Sequence, residues 1–281
     1  MADMPFGYVQ QHMANGSLLA QSSMVAENLQ RMETQEEVLK PVFENALKKA
    51  ATTAIIASYE MTAATLMVFF LAMVLYPEVQ KRAQAEIDSV VGKEQLPTFE
   101  DRASLPYIDA VVRETWRWQL VVPLGVSHAT SSDDVYDGYF IPKGAIITYN
   151  TWGITQDEKR YPNASNFIPE RFIDSNGALT SDEPAQYIFS LGRRICPGWY
   201  NADSSVWAAI ATMLATLNIS SAKDDQGKVI NFTPKFIPGV IRCPATFPCS
   251  ISMRSHIHSD LVDSWRTAEF ERRDSSLLSM V

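Results

Sequence analysis

The most informative stretch of the chain is Phe189-Ser190-Leu191-Gly192-Arg193-Arg194-Ile195-Cys196-Pro197-Gly198. A helix predicted over residues 202–217 would place Cys196 close to a helix N-terminus, where the helix dipole and backbone N–H groups stabilise a thiolate. Gly192 and Gly198 would let the backbone bend around the sulfur and approach a flat ligand closely. A lone cysteine in a turn is more often a small buried core residue, and these positions by themselves leave that alternative open.

The composition indicates a folded protein and excludes several classes of partner. The chain has 281 residues, of which 46% are hydrophobic and 20% charged, enough for one large domain or two small ones. Its net charge of -8 argues against nucleic acid, which requires a basic face. Three cysteines are too few for a disulfide framework, which favours a reducing compartment, and the four histidines have no zinc-site spacing.

Residues 50–76 form a nearly apolar segment that is long enough to cross a bilayer. Glu60 lies near its centre, and an acidic residue there costs on the order of 2.5 kcal/mol or more on insertion scales. We therefore expect a core helix that carries a functional acid, with a membrane or interaction protein built on this segment as the rival. Residues 1–7 lack a basic region followed by an apolar run, so the printed chain is expected to have no membrane anchor at its start.

Hydrophobic spacing predicts a fold class that is mainly α with a small β region. Helices are predicted within residues 8–47 and over residues 50–76, 79–91, 100–120 and 202–217. Short strands are predicted over residues 126–130, 135–141, 145–149 and within 229–252, with irregular backbone over 157–172 and a polar loop over 173–184. The polar tail, residues 255–281, is predicted to be disordered, which leaves residues 1–254 as the folded domain.

The cysteine loop has the pattern Phe-x-x-Gly-x-Arg-x-Cys-x-Gly, and it resembles the haem-binding loop of the cytochrome P450 superfamily. The resemblance implies that Cys196 is the axial thiolate ligand of the iron in haem b (iron protoporphyrin IX), where it donates electron density to the metal. It also implies cofactor contacts from Phe189, Gly192, Arg194 and Gly198, with Arg194 binding a propionate.

Two further motifs occur in the order found in that family. Glu114-Thr115-Trp116-Arg117 places an acid and a base three residues apart on a predicted helix, and Pro169-Glu170-Arg171-Phe172 follows. An i, i+3 ion pair taken alone is usually an exposed pair on the helix surface that adds little stability. By resemblance, Glu114, Arg117 and Arg171 form a buried ion triad with a structural role. His128 lies where the family has a propionate-binding His or Arg, although an isolated histidine is more often a satisfied strand residue.

Ala57-Ser58-Tyr59-Glu60-Met61-Thr62 aligns without gaps to the family's oxygen-activation motif on its long central helix. Glu60 and Thr62 would be the catalytic residues, but Met61 replaces the usual threonine and Ser58 replaces a glycine. Methionine has no proton to donate, and Thr62 lies about 100° further around the helix. We therefore expect weakened proton delivery to dioxygen, with leakage of peroxide, an alternative donor such as Ser58, or chemistry that needs no dioxygen scission.

The resemblance extends over roughly residues 4–252, corresponds to the C-terminal portion of the family fold, and is closest to fungal oxidases of secondary metabolism. It implies a monooxygenase that takes electrons from NADPH through a cytochrome reductase, which could dock near Arg193. The apolar small-molecule substrate would contact Val121, Val122, Leu124 and residues 237–240. The full-length form is expected on the cytosolic face of the endoplasmic reticulum. A chain that lacks an anchor is expected in the cytosol. The alternative is a truncated, non-catalytic fragment or pseudoenzyme with impaired haem binding or oxygen activation.

Overall fold

A computed structural model describes residues 3–14, 23–255, 258 and 262–263 of the chain. These residues are mainly helical and include small two-stranded antiparallel sheets, which confirms the predicted fold class. The predicted disordered tail lies almost entirely outside the described residues. Contacts divide the chain into two compact units, residues 1–60 with 262–281 and residues 61–261.

The helices are α1 (Asp3–Ala14), α2 (Met24–Glu33), α3 (Lys40–Leu75), α4 (Pro77–Val90), α5 (Pro106–Trp118), α6 (Thr151–Thr155), α7 (Ala185–Ile188) and α8 (Trp199–Thr216). Short 3₁₀ turns occupy Arg102–Ser104, Pro169–Phe172 and Gly192–Arg194. The strands are β1 (His128–Ala129), β2 (Asp134–Tyr136), β3 (Tyr139–Ile141), β4 (Ile146–Ile147), β5 (Leu217–Ser221), β6 (Phe236–Ile237), β7 (Cys243–Pro244) and β8 (Cys249–Met253). The short helices α6 and α7 and the strand β5 were not predicted from the sequence.

The first unit has a small apolar core where α1, α2 and the first part of α3 contribute Phe6, Val25, Leu47 and Ala51. The α3 helix begins at Lys40, ten residues before the predicted segment, because Pro41 suits the first turn of a helix and residues 42–49 contain no further proline or glycine. It ends at Leu75, since the residue before a proline is pushed out of the helical region and Pro77 then starts α4.

The second unit is built around α5, which is buried on nearly every side. It packs against α4, α7, α8 and the turn Pro169–Phe172. The predicted start of this helix at residue 100 was wrong: Pro106 begins it, and residues 102–104 form a separate 3₁₀ turn. Because α5 contacts the elements on both sides of the cysteine loop, it is the scaffold of the candidate site.

The predicted strand over residues 135–141 was also wrong, because it is a hairpin of β2 and β3. Asp137 and Gly138 form its two-residue turn with φ angles of 49° and 81°. An Asp-Gly pair suits a tight hairpin turn with both central residues at positive φ, and this signal was overlooked within an apolar run.

The hairpin exposes apolar side chains on both faces. Val135, Tyr136, Tyr139 and Phe140 are 64%, 74%, 75% and 65% exposed. Val135 pairs with Phe140 across the hairpin, and Tyr136 pairs with Tyr139. Exposed apolar strand residues promote association between chains.

Replacing Val135 and Phe140 together with threonine is expected to reduce self-association of the isolated chain, because threonine keeps the strand propensity and removes apolar surface. Sedimentation velocity would measure the monomer fraction, with Val90→Thr as a control at an exposed valine on α4. An equal gain of monomer in the control would contradict a specific role for the hairpin.

Candidate functional site

The cysteine loop is a compact turn between α7 and α8. The backbone N–H of Cys196 donates to the carbonyl oxygen of Phe189 at 2.8 Å, which closes the loop at its base. Ser190 and Gly192 have φ angles of 69° and 63°, so the chain bends through two left-handed residues before the 3₁₀ turn. A non-glycine residue in this region carries strain, so Ser190 is a strained position within the closed loop.

Cys196 lies between two glycines of the loop, Gly192 and Gly198. Cys196 is a free, half-buried cysteine three residues before α8. A Cβ added at Gly198 would lie 3.8 Å from Sγ, and one added at Gly192 would meet no atom within 4 Å. Larger side chains at these glycines would therefore cover the sulfur or fill the open space beside the loop. The site fits a haem, which needs one unpaired thiolate with room beside it.

Aromatic side chains support both ends of this loop. The Phe189 ring stacks on Trp199 with a centroid distance of 6.0 Å and meets the edge of Trp116 from α5 at 5.5 Å. Trp199 in turn stacks on Tyr200 at 5.4 Å. Phe189 thus joins the first turn of α8 to the scaffold helix, rather than standing free over the sulfur.

Glu114, Arg117 and Arg171 form a buried ion network. Glu114 and Arg117 are fully buried, and Arg117 donates to Glu114 from Nε at 2.7 Å and from Nη2 at 2.8 Å. The Arg171 Nε lies 3.2 Å from the same carboxylate, and the backbone N–H of Ile168 donates to it at 2.8 Å. Arg117 also donates to the carbonyl oxygens of residues 155, 164 and 166 at 2.8–3.1 Å.

This network fixes geometry more than it adds stability. Burial raises the pKa of Glu114, and the two arginines oppose that rise. A buried ion pair gains little net free energy because both charges lose water, but removing one partner leaves an uncompensated buried charge. The network therefore holds α5 against the irregular segment 155–171 in a single arrangement.

The two residues expected to bind the haem propionates, Arg194 and His128, form no hydrogen bond with each other. Arg194 is exposed in the 3₁₀ turn of the cysteine loop, and His128 is half-buried in β1, opposite Ile147 of β4. Within the described part of the chain, neither side chain has a hydrogen bond or ion pair.

The candidate oxygen-activation residues lie in the middle of α3. Glu60 and Ser58 are exposed and belong to the first unit, whereas Met61 and Thr62 are half-buried and belong to the second. The Ser58 hydroxyl donates to the carbonyl oxygen of Ile55 at 3.2 Å, so it is engaged within the helix.

The two segments expected to line a substrate pocket lie side by side. The backbone N–H of Arg242 donates to the carbonyl oxygen of Val121 at 2.7 Å, and its guanidinium bonds Gln119 Oε1 at 2.6 Å. Leu124, Ile237 and Val240 are 53%, 53% and 74% exposed, so the adjoining segments offer apolar surface.

Sequence reasoning missed charged residues at both ends of the cysteine loop. Arg102 binds Asp203 of α8, and Arg113 of α5 binds Glu183 before α7. The only sequence signal was an acid and a base at positions 109 and 113, a spacing that normally indicates a pair on the helix surface.

Comparisons with known proteins show which family the chain resembles. The family model described as Cytochrome P450 matches residues 8–245. The chain is 40% identical to cytochrome P450 monooxygenase claR of Ampulloclitocybe clavipes over 263 residues, which cover 93% of this chain and 47% of the relative. It is 40% identical to cytochrome P450 monooxygenase 136 of Postia placenta, covering 93% of this chain and 49% of that protein. Multifunctional cytochrome P450 monooxygenase af510 of Aspergillus fumigatus is 35% identical, covering 93% and 48%.

These relatives are oxidoreductases of fungi, and the chain spans about half their length. The matched region includes the cysteine loop, the Glu114 network and most of both compact units. The chain therefore belongs to the cytochrome P450 family.

Proposed function

We propose that this chain is the haem-binding C-terminal portion of a monooxygenase that inserts one oxygen atom into an apolar organic substrate. In the balanced reaction, substrate C–H, dioxygen, NADPH and a proton give C–OH, water and NADP⁺. A reductase partner would pass the two electrons from NADPH. The observation that carries the proposal is the closed loop that presents the half-buried Cys196, with Gly198 next to its sulfur and open space at Gly192.

Haem, when bound, would supply the centre at which dioxygen is reduced and split. Cys196 would hold the iron, while Gly198 keeps a side chain from contacting the sulfur and Gly192 leaves open space beside the loop. Arg194 and His128 would neutralise the two propionates as charge-assisted hydrogen-bond donors. Arg193, exposed in the same 3₁₀ turn, would face an acidic reductase surface.

An apolar substrate is supported by the segments around Val121 and Ile237, which adjoin through the hydrogen bond of Arg242 and leave apolar side chains exposed. Apolar pockets with few polar groups bind substrates mainly by excluding water. For the long form we propose the cytosolic face of the endoplasmic reticulum, which fractionation of a tagged protein would test. The helix over residues 40–75 is long and apolar enough to cross a membrane by length and composition, a test that core helices of soluble proteins also pass.

The reduced carbon monoxide difference spectrum of the chain expressed with haem supply tests the proposal. A long-wavelength Soret band and one haem per chain would support a thiolate-ligated site. A short-wavelength band, or no haem, would favour the second candidate, a non-catalytic fragment. That candidate is favoured by Met61 and Ser58, which replace the residues expected to serve dioxygen.

Met61→Thr is expected to raise the ratio of product to peroxide by about tenfold in a form extended to the relatives' length, because threonine supplies the missing proton donor. Product and NADPH consumption would be measured together. Met67→Thr is the matched control on the same helix, at a methionine that is 38% exposed. Tight coupling in the unmodified protein that survives Ser58→Ala would contradict weakened proton delivery.

A further inference from the structure

Three ion pairs, made by Arg102 and Arg113, connect the segments on the two sides of the cysteine loop to one face of α5. We term these two segments the stems. On the downstream side, Arg102 bridges two carboxylates. Its Nη1 and Nη2 lie 2.6 Å and 2.9 Å from the Asp203 oxygens, and its Nη2 lies 2.7 Å from Asp109 Oδ1. Asp203 is in the second turn of α8, seven residues after Cys196. Arg102 therefore couples the helix that follows Cys196 to α5.

On the upstream side, Arg113 holds the segment that leads into α7. Its Nε lies 2.9 Å from Glu183 Oε2, and its Nη1 donates to the carbonyl oxygens of Thr180 and Asp182 at 2.9 Å each. The other Glu183 oxygen accepts from the backbone N–H of Ala185, the first residue of α7, at 3.2 Å. Arg113 thus couples the backbone before the loop to α5.

Asp109 and Arg113 are four residues apart on α5, so both stems attach to the same helix face one turn apart. The paired side chains are 11–27% exposed, which places them well below the exposure of ordinary surface pairs. Burial raises the pKa of Asp109 and of Glu183, which indicates that these carboxylates are partly withdrawn from water. Charge-assisted pairs in such positions are stronger and more directional than exposed ones.

The loop between the stems carries exposed apolar side chains. Leu191 and Ile195 are 55% and 39% exposed. Three backbone hydrogen bonds organise its turn: those of the Ile195, Cys196 and Trp199 N–H groups to the carbonyls of residues 192, 189 and 196, at 3.2, 2.8 and 3.3 Å. Its polar connections to α5 run through the two stems. Its apolar support comes from the ring contact between Phe189 and Trp116 and from the packing of Ile188 and Trp199 on the core that α5 shares.

We propose that Arg102 and Arg113 are positioning residues that hold the two stems of the Cys196 loop against α5 and so keep the loop closed around the thiolate. The stems act as a pair, because loosening either one releases one end of the turn. The role of Cys196 as a haem ligand rests on the proposed function, but the closed state of the loop can be measured without haem.

Amide hydrogen exchange of the haem-free chain tests the role of the stems. Arg102→Met and Arg113→Met are each expected to speed exchange in peptides covering residues 189–199 by at least about tenfold, with little change in peptides from β5 and β8. Arg102→Lys is expected to give an exchange rate between those of the unmodified chain and Arg102→Met. Lysine keeps the positive charge, but it lacks the planar guanidinium that contacts both carboxylates. Arg82→Met is the control. Arg82 Nη1 lies 2.9 Å from Glu170 Oε1, and this ion pair includes neither Arg102 nor Arg113.

Unchanged loop exchange in both methionine variants would overturn the proposal. An equal rise in the β5 and β8 peptides, or the same loop effect in Arg82→Met, would show general loosening and also overturn it. For the chain loaded with haem, both stem variants are expected to convert part of the carbon monoxide complex to the short-wavelength form. If the unmodified chain takes up no haem, the proposed function fails, while the exchange result still decides the role of the stems.

Discussion

Replacing Cys196 with serine is expected to abolish the long-wavelength Soret band of the reduced carbon monoxide complex. A serine hydroxyl is a far weaker acid than a thiol, so it does not provide the anionic, soft donor that thiolate gives to iron. The loop itself should persist, because the bond between the backbone N–H of residue 196 and the Phe189 carbonyl does not involve the side chain. Haem content and the difference spectrum measure the effect.

Cys249→Ser provides the matched control, since Cys249 is exposed in β8 and is also a free cysteine. It is expected to leave the band unchanged. A band that survives Cys196→Ser, or that disappears in Cys249→Ser, would show that the thiolate comes from elsewhere.

Arg117→Met is expected to lower the free energy of unfolding by about 3–5 kcal/mol, the usual consequence of removing one partner from a buried ion pair. Glu114 would keep only the partly exposed Arg171 as a charged partner, and three backbone carbonyls would lose their donor. Against a typical domain stability of about 5–15 kcal/mol, this loss is large enough to unfold a substantial fraction of the chain. Urea denaturation followed by circular dichroism would measure it.

Lys93→Met is the comparison for an exposed pair, because Lys93 is 65% exposed and lies 4.0 Å from Asp88. The Lys93→Met substitution should lower the free energy of unfolding by about 1 kcal/mol or less. Arg117→Lys should lower the free energy of unfolding nearly as much as Arg117→Met does, since lysine cannot make the bidentate contact with Glu114. Equal stability of Arg117→Met and Lys93→Met would contradict the structural role of the network.

Local sequence predicted the elements that proline and hydrophobic spacing define. The helix predicted over residues 79–91 is α4, from Pro77 to Val90, because proline sets its start and the alternating charges mark its exposed face. The start of α5 was misplaced because charged residues before Pro106 continue a helical pattern that the chain does not follow. The hairpin of β2 and β3 was missed because its apolar residues stand on both sides of the turn and read as one strand.

The cysteine loop and the family are readable from local sequence, because a thiolate ligand and the glycines around it are local requirements within ten residues. The charges that support that loop depend on tertiary packing. Arg102 and Asp203 are 101 positions apart, and nothing in the spacing of either residue indicates its partner. Burial of Glu114 and Arg117 likewise depends on the segments that pack over α5, since an i, i+3 pair is identical in sequence whether it faces water or a core.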